Sequence, residues 1–339
     1  MSVYIIAEAG VNHNGNIHTA LQMIDAAKAC GCDCVKFQTF KTEALVTKTA
    51  KKAAYQVENT RKQDSQYNML KNLELSYDDF AILKEHCDKV GIDFMSTPFD
   101  RESVDVLERL GVQAYKLSSG DITNKPLLEY VADKHKPVIL STGMCTMDEV
   151  KDAVEWIEAQ NNHQITLLHC TSNYPTPYDE VNMKAMLTLK DSFPYAIGYS
   201  DHTKGIIMPI MSVAMGATVL EKHFTLDKQM DGPDHKASLD VQELENMVAA
   251  VRNVEAAKGD GIKQPTVSEM STREVARKSV VVNKTLKKGI ILSDEDLSVK
   301  RPGTGIAPKY IQEFTGKVLL RDIEEDTLIN WDDIRQVEK

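Results

Sequence analysis

VILST (138–142), MDEVKDAVEWIEA (147–159) and ITLLHC (165–170) read as strand, helix, strand. The two short runs are mostly apolar until their C-terminal ends, as a strand covered on both faces requires. The longer stretch between them mixes apolar and charged residues at helical spacing. A strand, a helix and another strand in that order build a parallel sheet. The alternation continues in both directions. Strand-like runs fall at Val3–Glu8, Cys34–Thr39, Phe94–Thr97, Ala114–Leu117, Ala196–Ser200 and Thr218–His223, with helical patterns at Thr19–Ala29, Tyr77–Val90, Ser103–Leu110 and Gly205–Met215. Eight such units within roughly the first 255 residues fit an α/β fold of the (β/α)8 TIM-barrel type. An open doubly wound sheet is the runner-up. It brings a glycine-rich phosphate loop after an early strand, and Gly10-Val11-Asn12-His13-Asn14-Gly15 does not match one.

The pattern changes after Arg252. Lys258-Gly259-Asp260-Gly261 and Pro265 mark a linker, and short apolar runs split by Lys-Gly and Pro-Gly turns follow from Ser279. The expected division is a catalytic barrel over 1–257, a linker over 258–278 and a small β-rich domain over 279–339. Of the 339 residues, 42% are hydrophobic and 27% charged, and 40 basic against 50 acidic residues give a net charge of −10. That is globular composition, and it argues against nucleic acid as a partner. No run is long enough for a bilayer and no signal-peptide pattern opens the chain, so a cytoplasmic location is expected and no membrane partner. Cys30, Cys32 and Cys34 have one-residue gaps, which zinc knuckles do not use; all six cysteines are expected to be free thiols.

In TIM barrels the active site lies at the C-terminal ends of the strands, and here those ends are polar. They carry Glu8, Lys36 and Gln38, Ser96 and Thr97, Lys116 with Ser118 and Ser119, Ser141 and Thr142, His169, Ser200 to His202, and Glu221 with His223. Alternation along a strand puts Lys36 with Gln38, Lys116 with Ser118, Ser200 with His202, and Glu221 with His223 on shared faces. Unpartnered buried cations are costly. The set therefore calls for a small, densely anionic ligand, such as one bearing a phosphate and a carboxylate, or for ion pairs with Glu8, Asp121 and Glu221. His202 and His223 lie on neighbouring strands. They could share a divalent cation, bind substrate, or simply pack. His13 could stabilise its turn or belong to a substrate loop, and Asp234, in the turn after the last strand, could accept a sugar hydroxyl.

The ordered motifs Ile6-Ala7-Glu8-Ala9-Gly10, Asn12-His13-Asn14-Gly15, Val35-Lys36-Phe37-Gln38-Thr39-Phe40, Ser96-Thr97-Pro98-Phe99-Asp100 and Leu140-Ser141-Thr142-Gly143-Met144 resemble those of the sialic acid synthase family. So do Gly198-Tyr199-Ser200-Asp201-His202, Glu221-Lys222-His223-Phe224-Thr225, Gly232-Pro233-Asp234-His235 and Lys300-Arg301-Pro302-Gly303, and the likeness runs from about Tyr4 to Ile334. The resemblance implies a TIM barrel followed by a C-terminal antifreeze-like (SAF) domain, in a domain-swapped homodimer. It implies a divalent metal on His202 and His223, usually manganese, with magnesium or cobalt as substitutes. Phosphoenolpyruvate would be held by Lys36, Thr97, Lys116, Ser119, Ser141 and Ser200. An N-acetylated amino sugar would meet Gln38, Asp121, Tyr174 and Asp234, with Arg301 reaching in from the other subunit. Glu8 would handle protons or a sugar hydroxyl.

The implied reaction joins phosphoenolpyruvate and the open-chain aldehyde of N-acetylmannosamine, with water, to N-acetylneuraminate and phosphate. A legionaminate synthase using 2,4-diacetamido-2,4,6-trideoxymannose is the alternative. Two positions bear on sugar choice: Thr171 stands where some members have asparagine, and Asp121 where several have glutamate. Lys36 is not the histidine of some pseudaminate-making relatives. More distant readings are a heptulosonate- or octulosonate-type synthase, which needs extra basic residues for a phosphorylated sugar, and a sugar-phosphate-binding barrel without catalysis.

Overall fold

A computed structural model describes residues 2–60 and 64–336. Among these, eight parallel strands form one sheet: β1 (Tyr4–Gly10), β2 (Cys34–Thr39), β3 (Asp93–Pro98), β4 (Tyr115–Leu117), β5 (Val138–Ser141), β6 (Ile165–His169), β7 (Ala196–Asp201) and β8 (Val219–His223). The bonded order is β3-β2-β1-β8-β7-β6-β5-β4. β3 and β4 lie side by side without ladder pairing, so the sheet curls into a TIM-type barrel with one unbonded seam.

Strand alternation sorts the interior. Ile5, Ala7, Val35, Leu140, Leu167 and Leu220 pack outward in the main apolar core with the helices. Ile6, Cys34, Met95, Ile139, Leu168 and Val219 form a separate buried cluster. Two residues further along the same strands stand Glu8, Lys36, Thr97, Ser141, Cys170 and Glu221. An apolar plug thus closes the lumen beneath a polar layer, and the plug excludes water from one side of that layer.

Helices are punctuated as their sequences dictate. Ser76 and Asp79 form a capping box at the start of Tyr77–Val90, and Gly91, at φ 75°, ends it. Between β2 and that helix the chain forms three short helices, Thr42–Leu45, Ala54–Thr60 and Gln66–Lys71. The strand–helix reading passed over them because pieces of one to two turns are too short to show an apolar stripe.

The chain divides into two compact units, Met1–Gly259 and Asp260–Lys339. The stretch read as linker contains a helix, Glu269–Ala276. In the second unit β9 (Ser279–Val282) pairs antiparallel with β10 (Leu297–Lys300), and β11 (Val318–Leu319) with β12 (Ile334–Arg335). These pairs wrap a core of their own that includes Val280, Val282, Leu297, Phe314 and Ile329. No helix among the described residues is long and apolar enough to cross a membrane. The six cysteines are free thiols.

Candidate active site

The polar layer opens into a cavity of about 410 Å³ at the C-terminal ends of the strands. Its floor is a charge cluster. Lys36 Nζ stands 2.7 Å from Glu8 Oε2 and 3.7 Å from Glu221 Oε1, and donates to Thr97 Oγ1 at 3.2 Å. Lys116 Nζ lies 3.8 Å from Glu221 Oε2 and donates to Ser141 Oγ at 2.6 Å. Ser200 Oγ donates to Glu221 Oε1 at 3.0 Å, and Gln38 Nε2 to Glu8 Oε1 at 3.2 Å. Glu8, Lys36, Lys116 and Glu221 are each less than 5% exposed. The sequence reading set an anionic ligand against internal ion pairs as accounts of the lysines; the structure has the ion pairs, at the bottom of an open cavity. The sequence reading gave Glu221 only an ion-pair role and no part in the reaction, although its shared face with His223 was the signal.

Burial and the lysines compete over the carboxylates. Burial pushes Glu8 up to about 7, against the pull of Lys36. Burial also opposes the Lys36 charge, but Glu221 and Glu8 outweigh it and hold that ammonium above its ordinary value. Lys116 is drawn below its usual value by burial, which Glu221 offsets only in part. Glu221 is held below the carboxylate range because Lys116 and Lys36 together overcome burial. Lys36 and Glu221 are therefore charged at neutral pH, and Glu8 sits near its midpoint.

Above the floor, the His202 and His223 rings lie 5.5 Å apart, with Tyr174 at 4.1 Å from His202 and 5.5 Å from His223. Burial lowers His202 to about 4 and, with the nearby His202 and lysines, drives His223 well below its ordinary value. Both are neutral imidazoles, the form that binds metals. His202 Nδ1 lies 2.6 Å from the Thr171 carbonyl, so that nitrogen carries the proton and Nε2 keeps its lone pair. His223 Nδ1 and Glu221 Oε2 are buried without hydrogen-bond partners. The described residues hold no cluster of three or more His, Cys, Asp or Glu with metal-site spacing. The donor set fits a divalent cation that takes two imidazoles from the chain and completes its shell with water and substrate.

Of the other expected residues, Thr97, Gln38, Ser119, Ser141, Tyr174 and Ser200 line the cavity. Ser119 Oγ accepts from the Gly143 N–H at 2.8 Å, which fixes its direction. Asp234 Oδ2 is 3.9 Å from His223 Nδ1, and burial raises its carboxyl to about 6. Asp121 is committed elsewhere: Ser118 Oγ and Asn124 Nδ2 donate to its carboxylate at 3.0 and 3.1 Å, while the lining passes through Ser118, Ser119 and Gly120. Arg301 is exposed at the end of β10 in the second unit. His13 serves its turn, accepting the Gly15 N–H at 3.0 Å. His169 faces away from the lumen and bonds the Val181 carbonyl at 2.8 Å. Sequence reasoning did not find Tyr55, which faces Tyr174 at 5.0 Å, nor the apolar side of the cavity formed by Leu45, Val46, Leu70 and Phe99. Three of those four, and Tyr55, belong to the segment of short helices, which carries no periodic signal.

Residues 23–263 match the family described as the NeuB family, and 277–335 match the SAF domain. The N,N'-diacetyllegionaminic acid synthase of Legionella pneumophila is 48% identical over 338 residues, 98% of this chain and 95% of that protein. The enzyme of the same name from Campylobacter jejuni is 48% identical over 327 residues, 96% of this chain and 98% of its own. The crystal structure of the N-acetylneuraminic acid (sialic acid) synthetase of Leptospira borgpetersenii superposes with a TM-score of 0.72 at 36% identity, covering 80% of this chain and 90% of that one. Matched over most of its length and close to half identical to full-length synthases, the chain belongs to the NeuB family.

Proposed function

We propose that the chain condenses phosphoenolpyruvate with 2,4-diacetamido-2,4,6-trideoxymannose and water, giving N,N'-diacetyllegionaminate and phosphate. The observation that carries the reaction is the cavity floor, where two buried lysines face two buried carboxylates beneath two neutral histidines. The sugar choice draws on the 48% identity to two legionaminic acid synthases, against 36% to the sialic acid synthetase. It also suits the apolar side of the cavity at Leu45, Val46, Leu70 and Phe99. A sugar with a methyl group and a second acetamido group buries more apolar surface there than one with hydroxyls. N-acetylmannosamine, placed first by the sequence motifs, is the second reading, favoured by the likeness to the sialic acid synthetase.

In this reaction the methylene carbon of phosphoenolpyruvate forms a bond to the aldehyde carbon, whose oxygen takes up a proton. Water adds at the former enol carbon, and cleavage of its bond to the phosphate oxygen releases phosphate. Lys36 and Lys116, with Thr97, Ser119, Ser141 and Ser200, hold the phosphate and carboxylate groups. An anion on the lysines takes their charge away from Glu8, so the Glu8 carboxyl holds its proton more tightly and can give it to the aldehyde oxygen. Gln38, Tyr174 and Asp234 orient the sugar, and binding both substrates in one cavity supplies orientation. His202 and His223 would hold a divalent cation, manganese first, which would supply Lewis acidity to the sugar aldehyde. In the swapped homodimer that the family resemblance implies, Arg301 meets the sugar bound to the other subunit. Arg301→Ala is expected to raise the sugar KM, and an unchanged KM removes it from the site.

The test is phosphate release from phosphoenolpyruvate with manganese, using each sugar and a no-sugar control. The expected result is a kcat/KM about 10-fold or more higher for the diacetamido sugar, lost on chelation and restored by manganese. A preference for N-acetylmannosamine reverses the sugar assignment, and release with neither sugar overturns the enzyme reading.

A further inference from the structure

The residues that alternate with Ser200, Glu221 and His223 on β7 and β8, and with His202 just past the end of β7, take no part in the reaction described above. They nevertheless form a closed buried network. Asp201 and Lys222 are direct register partners across the two strands. Lys222 Nζ meets Asp201 Oδ2 at 2.5 Å, and both side chains are 0% exposed. Lys222 Nζ also donates to the Thr203 carbonyl. Asp201 Oδ1 accepts from the Tyr199 hydroxyl at 3.0 Å and from the Thr203 N–H at 3.1 Å, while Oδ2 accepts from Thr203 Oγ1 at 3.1 Å.

The bond from the Thr203 N–H to the Asp201 side chain closes an Asx turn. His202 is the middle residue of that turn. Lys222 holds both ends of it, the Asp201 carboxylate and the Thr203 carbonyl. It thereby ties the turn to β8 at the residue immediately before His223. One network thus fixes the backbone on both sides of His202 and on the near side of His223. The bond from His202 Nδ1 to the Thr171 carbonyl then sets the ring rotation separately. Stability is a weak account of such a pair, because apolar residues of similar volume often serve a core as well as a fully buried ion pair. The separation and aim of two imidazoles does need a rigid, directional link.

We propose that Asp201 and Lys222 are positioning residues that set the spacing and aim of His202 and His223 for a divalent cation. The proposal rests on the reading of those histidines as cation ligands.

The experiment titrates Mn2+ into the purified full chain, with calorimetry and electron paramagnetic resonance as readouts. Circular dichroism melts report folding, and steady-state kinetics follow. Three variants are compared with wild type: His202→Ala with His223→Ala, the charge-free pair Asp201→Asn with Lys222→Met, and Tyr199→Phe. The charge-free pair removes both charges together, so no buried ion is stranded. It is expected to weaken Mn2+ binding about 10-fold or more, and to lower kcat with the phosphoenolpyruvate KM unchanged. Tyr199→Phe, which removes one hydrogen bond to Asp201, is expected to weaken binding about 3-fold. Binding lost in the histidine variant but unchanged in the folded charge-free pair and in Tyr199→Phe overturns the positioning role alone. A wild-type chain that takes up no Mn2+, or a histidine variant that binds it normally, sinks the cation reading and this proposal with it. If the charge-free pair does not fold, Tyr199→Phe decides by the same criterion.

Discussion

Asp234 shows how burial alone sets a side chain's behaviour. It is 7% exposed, and desolvation raises its carboxyl from 3.8 to about 6. Neutral His223, 3.9 Å away, offers no counter-charge. The sign follows from proton linkage. Between pH 4 and 6 the native state keeps a proton that the unfolded chain releases, so the Asp234 contribution to stability falls as pH rises through that window. Asp234→Asn removes the effect. The variant is expected to be more stable than wild type by up to about 3 kcal/mol at pH 8 and equal to it at pH 4. Urea unfolding at the two pH values measures this. Glu8 titrates alike in both proteins, so the difference between them isolates Asp234. The gain should come with a higher sugar KM, since the site keeps a destabilising charge where the proposed chemistry uses it.

Among the strands, period-two alternation does most of the work: one parity packs outward and the other fills the lumen with an apolar plug and then a charged layer. The closeness of β7 and β8 is set by a missing side chain. A Cβ on Gly198 would come 2.3 Å from the Val219 carbonyl oxygen and 2.6 Å from Leu168 Cδ2. The first of these is backbone and cannot swing aside. Gly198→Ala is expected to destabilise the barrel by about 3 kcal/mol, read as a lower urea midpoint. Because His202 directly follows β7 and His223 ends β8, Mn2+ affinity should fall in the same variant. An unchanged midpoint would show that the two strands can separate at little cost.

The two units each have their own apolar core and each holds one of the chain's two tryptophans, Trp156 in the barrel and Trp331 in the small unit. Phe314 is fully buried in the small core and stacks on Trp331 with ring centroids 4.6 Å apart. Phe314→Ala is expected to cost the small unit about 3–5 kcal/mol. Fluorescence in single-tryptophan variants tests this: the Trp331 transition should move to lower denaturant and the Trp156 transition should stay. A single shared transition in both variants would mean that the units unfold as one cooperative block.

The barrel and most of its site could be read from the chain because both follow from local regularities. Apolar runs of strand length, helical spacing between them and polar residues at the strand ends are written in short windows, and parity alone put Lys36 with Gln38 and Glu221 with His223. Which partners those side chains choose was not readable. Lys36 is divided between Glu8 and Glu221, residues 28 and 185 positions away in sequence. That Asp121 turns to Ser118 and Asn124, and that Leu45, Val46, Tyr55 and Leu70 line one side of the cavity, likewise depended on closing the barrel. Sequence spacing fixes the face of an element a residue occupies. Only the folded chain fixes the distances between faces, and those distances decide which groups are charged.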